Sequence, residues 1–287
     1  MASMINTNIA SLNSQNNLTK SQGALTTSLQ RLSTGLRINS AKDDSAGLAI
    51  SERMGSQING LNQATRNSND GISMSQTAEG ALSSISDSLQ RIRELAVQSA
   101  NGTNTDADRT SLDQEFGELS KEIQRVVSGT TFNGKKVVGA DAGVTTTFQI
   151  GANTTAGEDT IDVMITNMSA DVSITAVAGT DTAGLGRATI GDSTVDFNTV
   201  INDIDGALNK VNSERAVLGA TQSRFEAIIS NLQIGIENQS AARSRIMDAD
   251  FASETANLSR AQVLQQAGNA MVAQANQLPQ QVLSLLK

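Results

Sequence analysis

The chain contains no cysteine and no histidine. Without cysteine there is no disulfide, no thiolate nucleophile and no cysteine-based zinc site. Without histidine, the commonest general base and the commonest transition-metal ligand are both missing. Tryptophan and tyrosine are absent too, and phenylalanine occurs only 6 times, so the aromatic platforms on which single-stranded nucleic acid stacks are lacking. A formal net charge of -8 works against binding to nucleic acid or anionic lipid. Pro279 is the one proline in 287 residues, which leaves long helices uninterrupted. No run approaches the ~18 consecutive apolar residues of a membrane span. The start, MASMINTNIASLN, lacks the basic and apolar regions of a secretory signal. By these rules the chain reads as cytoplasmic, although the absence of cysteine suits a protein that spends time outside the cell.

What is present is helical periodicity. From Asp44 to about Ser99, apolar residues recur in steps of three and four: Met54, Ile58, Leu61, then Leu82, Ile85, Leu89, Ile92 and Ala96. This spacing predicts one helix of roughly 80 Å, a rod rather than a globular element. Asp43 and Asp44 are its N-cap candidates. The stripe is thin at Ser68 and Ser75, and Gly55, Gly60, Gly71 and Gly80 each cost about 1 kcal/mol in helix propensity. Such a helix needs partners packed closely against it.

The rest of the chain supplies them. Residues 5–36 carry a sparse seam, Ile5, Ile9, Leu12, Leu18, Leu25, Leu29, Leu32 and Leu36, amid Asn, Gln, Ser and Thr. It reads as a narrow coiled-coil stripe or as an ordinary amphipathic helix on its own core. Residues 35–44 form a connector. Asn101-Gly102 closes the long helix, and Asp106–Val127 forms a return helix striped by Leu112, Phe116, Leu119, Ile123 and Val126. From Thr130 to about Asn198, alternation of period two and the Asn133-Gly134 turn signal predict β-hairpins. From Ile201 a strict four-three stripe returns, Ile204, Leu208, Val211, Arg215, Leu218, Gln222, Phe225, Ile229, Leu232 and Ile236, the natural partner of the long helix. A last helix carries Leu264, Ala267, Met271, Leu278, Val282 and Leu285. Apolar segments at both termini with little local core predict segments that order on contact with a partner.

No catalytic constellation emerges. Asn202–Gly206 has the flavour of a calcium loop, but its first and twelfth positions would be Ile201 and Asn212, not carboxylates. The Asp43/Asp44 and Asp248/Asp250 pairs read as helix caps, since nothing nearby would separate their pKa values. The Asn101-Gly102-Thr103 sequon carries sugar only in a eukaryotic secretory setting. The expected fold class is mainly α with a small β subdomain: a long-helix bundle formed by pairing of N- and C-terminal segments, plus β-hairpins.

Two blocks carry a family likeness. Near the N-terminus stand Ile5-Asn6-Thr7-Asn8, the run Arg31–Gly47 (RLSTGLRINSAKDDSAG) and Leu89–Asn101 (LQRIRELAVQSAN). Near the C-terminus stand Ser244–Phe251 (SRIMDADF), Gln265–Asn269 (QQAGN) and Ala273–Gln280 (AQANQLPQ) leading into Leu286. This closely resembles bacterial flagellin, over roughly the first 150 and last 90 residues. The resemblance implies an inner domain of residues 1–44 and 248–287 and an outer helical domain of residues 45–247 with its hairpins at 130–199. The middle is too short for the surface domains that longer members insert, so the chain resembles a short, core-only form.

The resemblance further implies a self-assembling filament subunit for motility, with no cofactor and no enzymatic role. It implies export without a cleaved signal through the flagellar type III apparatus, a chaperone on the C-terminal segment, and contacts with the filament cap and hook-associated proteins. It places assembly residues at Leu25, Leu29, Leu32, Leu36, Leu264, Met271, Leu278, Val282 and Leu285. A Toll-like receptor grips the outer domain in this family, at positions matching Arg91, Leu95 and Glu115. Arg91 and Leu95 form an i, i+4 pair on one helix face, and the same positions suit lattice contacts. Alternatives are a hook–filament junction protein, whose terminal blocks are usually weaker, and an enzyme with a metalloprotease motif, a route closed by the absence of histidine.

Overall fold

The structure, a computed structural model, describes residues 7–155 and 157–284, with side chains of the last helix described as far as residue 277. The elements run α1 Ile9–Thr34, α2 Ser45–Ser99, α3 Asp106–Gly129, β1 Thr131–Phe132, β2 Lys135–Lys136, β3 Thr146–Gln149, β4 Thr160–Val163, α4 Val172–Ala178, α5 Phe197–Met247 and α6 Phe251–Ser284. The fold is mainly α with two small antiparallel hairpins, and the terminal helices pair. The chain forms two compact units, one of Met1–Ile58 with Glu237–Lys287 and one of Asn59–Ile236.

In the first unit α1 and α6 run antiparallel. The Asn8 amide donates to the Ala275 carbonyl (2.7 Å) and Ser11 Oγ lies 2.7 Å from Asn276 Oδ1, while at the far end Ser28 Oγ donates to Glu254 Oε1 (2.5 Å). The seam keeps Leu18, Leu25 and Leu32 of the expected stripe and leaves Ile9, Leu12 and Leu29 outside it. Its covered positions on α1 are Ser11, Ser14, Leu18, Ser21, Leu25, Ser28 and Leu32, spaced three and four apart. Opposite them stand Glu254, Leu258, Ala261, Gln265, Gly268, Val272 and Ala275. Small residues let the backbones approach: a Cβ on Gly268 would stand 3.1 Å from Leu18 Cδ1. Serine interleaved with leucine hides the heptad from a reading that looks only for large apolar side chains.

The connectors are tied to each other. Gly35 ends α1 in the left-handed conformation. Leu36 then makes an antiparallel bridge with Asp248: the Arg37 N–H donates to the Met247 carbonyl (2.6 Å) and the Ala249 N–H to the Gly35 carbonyl (2.9 Å). The Arg37 guanidinium donates twice to the Ile246 carbonyl, at 3.2 and 2.7 Å. Asp44 caps α2, accepting from the Gly47 N–H at 2.8 Å. Asp43 instead folds back to accept from the Asn39 and Ser40 N–H groups, and these bonds hold its carboxyl below the ordinary range. Asp250 caps α6 through the Ala252 N–H (3.0 Å).

In the second unit α5 lies antiparallel to α2. Arg93 pairs with Asp205 (2.6 Å) and Glu79 accepts from Gln222 (3.0 Å). The α5 stripe is buried at Ile204, Val211, Leu218, Phe225 and Leu232, and the first four share one core with Ala78, Leu82, Ile85, Leu89 and Ile92 of α2. Ser68 and Ser75, the thin part of the α2 stripe, are fully buried and return their hydroxyl protons to the Ala64 and Gly71 carbonyls (2.8 and 2.9 Å). Phe225 meets Phe148 of β3 edge-to-face at 5.6 Å. The α3 helix starts on a capping box between Thr105 and Asp108.

The β1–β2 turn is Asn133-Gly134, both at positive φ (49° and 78°), as a two-residue hairpin of this hand requires. The other hairpin pairs Thr146 with Val163 and Phe148 with Ile161. Hairpins do not fill the whole of 130–199, however: residues 172–178 form α4, capped by Asp171. The segment after α4 is pinned to α3 by Arg187, which donates to both Asp113 oxygens (2.9 and 2.6 Å) and lies 5.6 Å over the Phe116 ring. Thr166 donates to Glu214 of α5, which also pairs with Lys210 (3.0 Å).

Candidate functional site

Two surfaces carry the residues that the sequence singles out. The first belongs to the terminal helices. Of the expected assembly residues, Leu25, Leu32 and Leu36 are half-buried, the first two inside the α1–α6 seam. Leu29, Leu264 and Met271 are not in that seam; each is at least 51% exposed. Leu285 lies outside the described residues, as do the side chains of Leu278 and Val282. Ile9, Leu12 and Val263, which the seam also leaves uncovered, add to the apolar area. Glu254 is the one acid buried in the seam among the described residues. Ser28 and Arg31 (3.7 Å) are its partners. A buried carboxylate is tolerated only where such groups face it. Sequence reading missed Glu254, and its seven-residue step to Ala261, Gly268 and Ala275 was the available signal.

The second surface is the α2–α3 face. Arg91 of α2 donates to Glu115 of α3 (2.9 Å) and to Glu94 (2.9 Å). Hydrogen bonding first to Glu115 and then to Glu94 raises the guanidinium above its ordinary pKa. Arg91 and Glu115 are thus brought together and both are half open to solvent. Leu95 is not with them: it is fully buried in the second unit's core beside Ile92 and Ala96. The i, i+4 step rotates it enough to leave the exposed face, because the apolar stripe of α2 runs along Leu89, Ile92, Leu95 and Ala96.

Among the described residues no group of three or more acidic, histidine or cysteine side chains is placed to hold a metal ion. Residues 202–206 lie inside α5, so their carboxylates are spaced along a helix and do not wrap a cation. No described helix is long and apolar enough to cross a membrane.

Residues 5–140 match the family described as the bacterial flagellin N-terminal helical region, and residues 201–286 match the bacterial flagellin C-terminal helical region. The chain is 45% identical over 284 residues to a flagellin of Halalkalibacterium halodurans, covering 99% of this chain and 100% of that one. It is 43% identical over 305 residues to a flagellin of Bacillus subtilis, covering 99% of each. Its fold is similar to that of a putative flagellar hook-associated protein from Vibrio parahaemolyticus, with a TM-score of 0.58, 16% identity, and coverage of 72% of this chain and 100% of that one. With both family regions present in order and full-length relatives on either side of 44% identity, the chain belongs to the bacterial flagellins, structural subunits of the flagellar filament rather than enzymes.

Proposed function

We propose that this chain polymerises with copies of itself into a helical filament through its terminal helices, residues 1–44 and 248–287 forming the filament core and residues 45–247 the outer part. The observation that carries this reading is a second apolar row on α6. Leu264 and Met271 stand uncovered beside the seam that α1 occupies, and Leu278 and Leu285 continue the same seven-residue step in sequence. An apolar row of that kind is removed from water when a second molecule covers it, and a heterologous contact that does not close propagates as a helix.

The test is deletion of residues 251–287. Electron microscopy after addition to filament seeds should show no growth, while circular dichroism shows the helices of residues 59–236 intact. Filaments from the truncated chain would remove the terminal helices as the joint.

Family membership also supports finer roles. The chain leaves the cell through the flagellar type III apparatus, a chaperone covers Leu264–Leu286 beforehand, and the filament ends meet the cap and hook-associated proteins. Its presence in the medium of cells with an intact, but not a disabled, export apparatus tests the first of these. Protection of residues 264–286 from protease by the chaperone tests the second. The α2–α3 face around Arg91 and Glu115 is the surface that a flagellin-sensing Toll-like receptor reads, with Leu95 supporting it from beneath.

A further inference from the structure

The second unit has a half-open apolar cavity of about 180 Å³ under the β1–β2 hairpin, walled by Met74, Phe132, Phe148, Val163 and Ile165, with Val144 at the mouth. An engineered cavity of about 150 Å³ accommodates benzene, so this one has room for a branched aliphatic side chain. Its rim carries Lys135 and Lys136, neither of which forms an ion pair among the described residues, and Asp141.

The same unit displays a matching projection. Leu185 is 70% exposed on a turn fixed by the chain's own hydrogen bonds. Asp181 Oδ1 accepts from the Ala183 N–H (3.0 Å) and the Leu185 N–H (2.9 Å), and the Leu185 carbonyl accepts from the Thr180 N–H (2.9 Å). A leucine presented by a hydrogen-bonded turn beside an exposed carboxylate complements an apolar cavity with lysines at its lip. Val172 is more exposed still, but the neighbouring Asp171 already faces Lys210 (4.0 Å), so the charge pairing selects Leu185. Because Leu185 stays exposed in its own chain, the cavity it would enter belongs to another copy.

We infer that Leu185 of one copy inserts into the Met74–Phe148 cavity of the next, with Asp181 meeting Lys135 and Lys136. The contact is heterologous, projection to cavity, so it repeats from copy to copy without closing. It rests on the filament reading and adds to it a joint in the second unit, apart from the terminal helices.

The chain has no cysteine, so thiols introduced at two positions are the only ones present. Filaments grown on seeds from the double variant Leu185→Cys/Val144→Cys, treated with a short bis-maleimide, should give a ladder of covalent dimers, trimers and higher species on a denaturing gel. Each single variant should stay monomeric. A double variant that forms filaments but stays monomeric overturns the inference and leaves the filament reading standing; so do dimers from Leu185→Cys alone.

A second variant covers loss of assembly in the first. Leu185→Ala should raise the critical concentration for growth on seeds roughly tenfold, the loss expected for most of a buried leucine's apolar surface. Growth at the parent concentration overturns the inference. A parent chain that fails to add to seeds at all takes down both readings.

Discussion

A Cβ built on Gly71 would stand 2.6 Å from Cζ of Phe225, so the Phe225 ring of α5 occupies the space that any side chain at position 71 of α2 would need. A glycine that costs helix propensity therefore admits the largest side chain of the α5 stripe. Gly71→Ala should destabilise the second unit by about 1–2 kcal/mol, overpacking outweighing the roughly 1 kcal/mol gained in propensity. Gly80, whose added Cβ would meet nothing within 4 Å, is the control: Gly80→Ala should stabilise by about 0.4–1 kcal/mol. Urea midpoints of the two variants, moving in opposite directions, check the claim.

The Arg187–Asp113 pair predicts an acid response. Burial pushes the Asp113 carboxyl up, but hydrogen bonds from Arg187 and the Ile190 N–H, with the Arg187 charge, outweigh it and leave the pKa lowered. A carboxyl lowered on folding adds stability above its unfolded pKa and loses it as pH falls through the folded value. Asp113→Asn should cost about 1–3 kcal/mol near neutral pH, where it leaves a half-buried guanidinium without its partner charge. The gap in urea midpoint between parent and variant should narrow as pH drops below the ordinary carboxylate range. A gap that stays constant with pH would show that the pair does not titrate with folding.

Glu254 predicts a different sensitivity. Ser28→Ala removes its 2.5 Å hydrogen bond and should cost about 1–3 kcal/mol, the penalty for a buried charged group losing a partner. Glu254→Leu should be milder than Ser28→Ala, because it removes the buried charge together with its need for partners. Melting temperatures of filaments grown from each variant order the two effects.

Arg91→Ala and Glu115→Ala separate recognition from folding. Both side chains are half exposed, and exposed pairs of this kind contribute little to stability. Each variant should keep the parent's urea midpoint and lose activation of a flagellin-sensing Toll-like receptor by the monomer. Unchanged activation would remove the pair from the receptor surface. Leu95→Ala opens a cavity instead and should cost about 2–5 kcal/mol, so a loss of activation there reports the support beneath the face.

The long helices were readable because their signals are dense: α5 holds an apolar residue at nearly every four-three step, and α2 carries no proline across its length. The Asn133-Gly134 turn was equally plain, since few residue pairs accept two positive φ angles. The α1–α6 seam was obscure for a physical reason. Half of its covered positions are Ser, Ala or Gly, whose value lies in the closeness they allow rather than in apolar area, whereas Leu29, Leu264 and Met271 attract the eye and stand outside it. Leu95 was misplaced because an i, i+4 step leaves a 40° rotation, enough to pass from the rim of the stripe to its centre. The α4 helix, a single stretch of seven residues, is β-branched at Val172, Ile174, Thr175 and Val177, and its Asp171 cap was the only local sign of it.

The Leu36–Asp248 bridge has a mechanical meaning. A pull along the strand leaving α1 loads two backbone hydrogen bonds and the Arg37 fork side by side, so they yield together under shear instead of one after another. The two crossings of the polypeptide at this point thus behave as a single riveted strap.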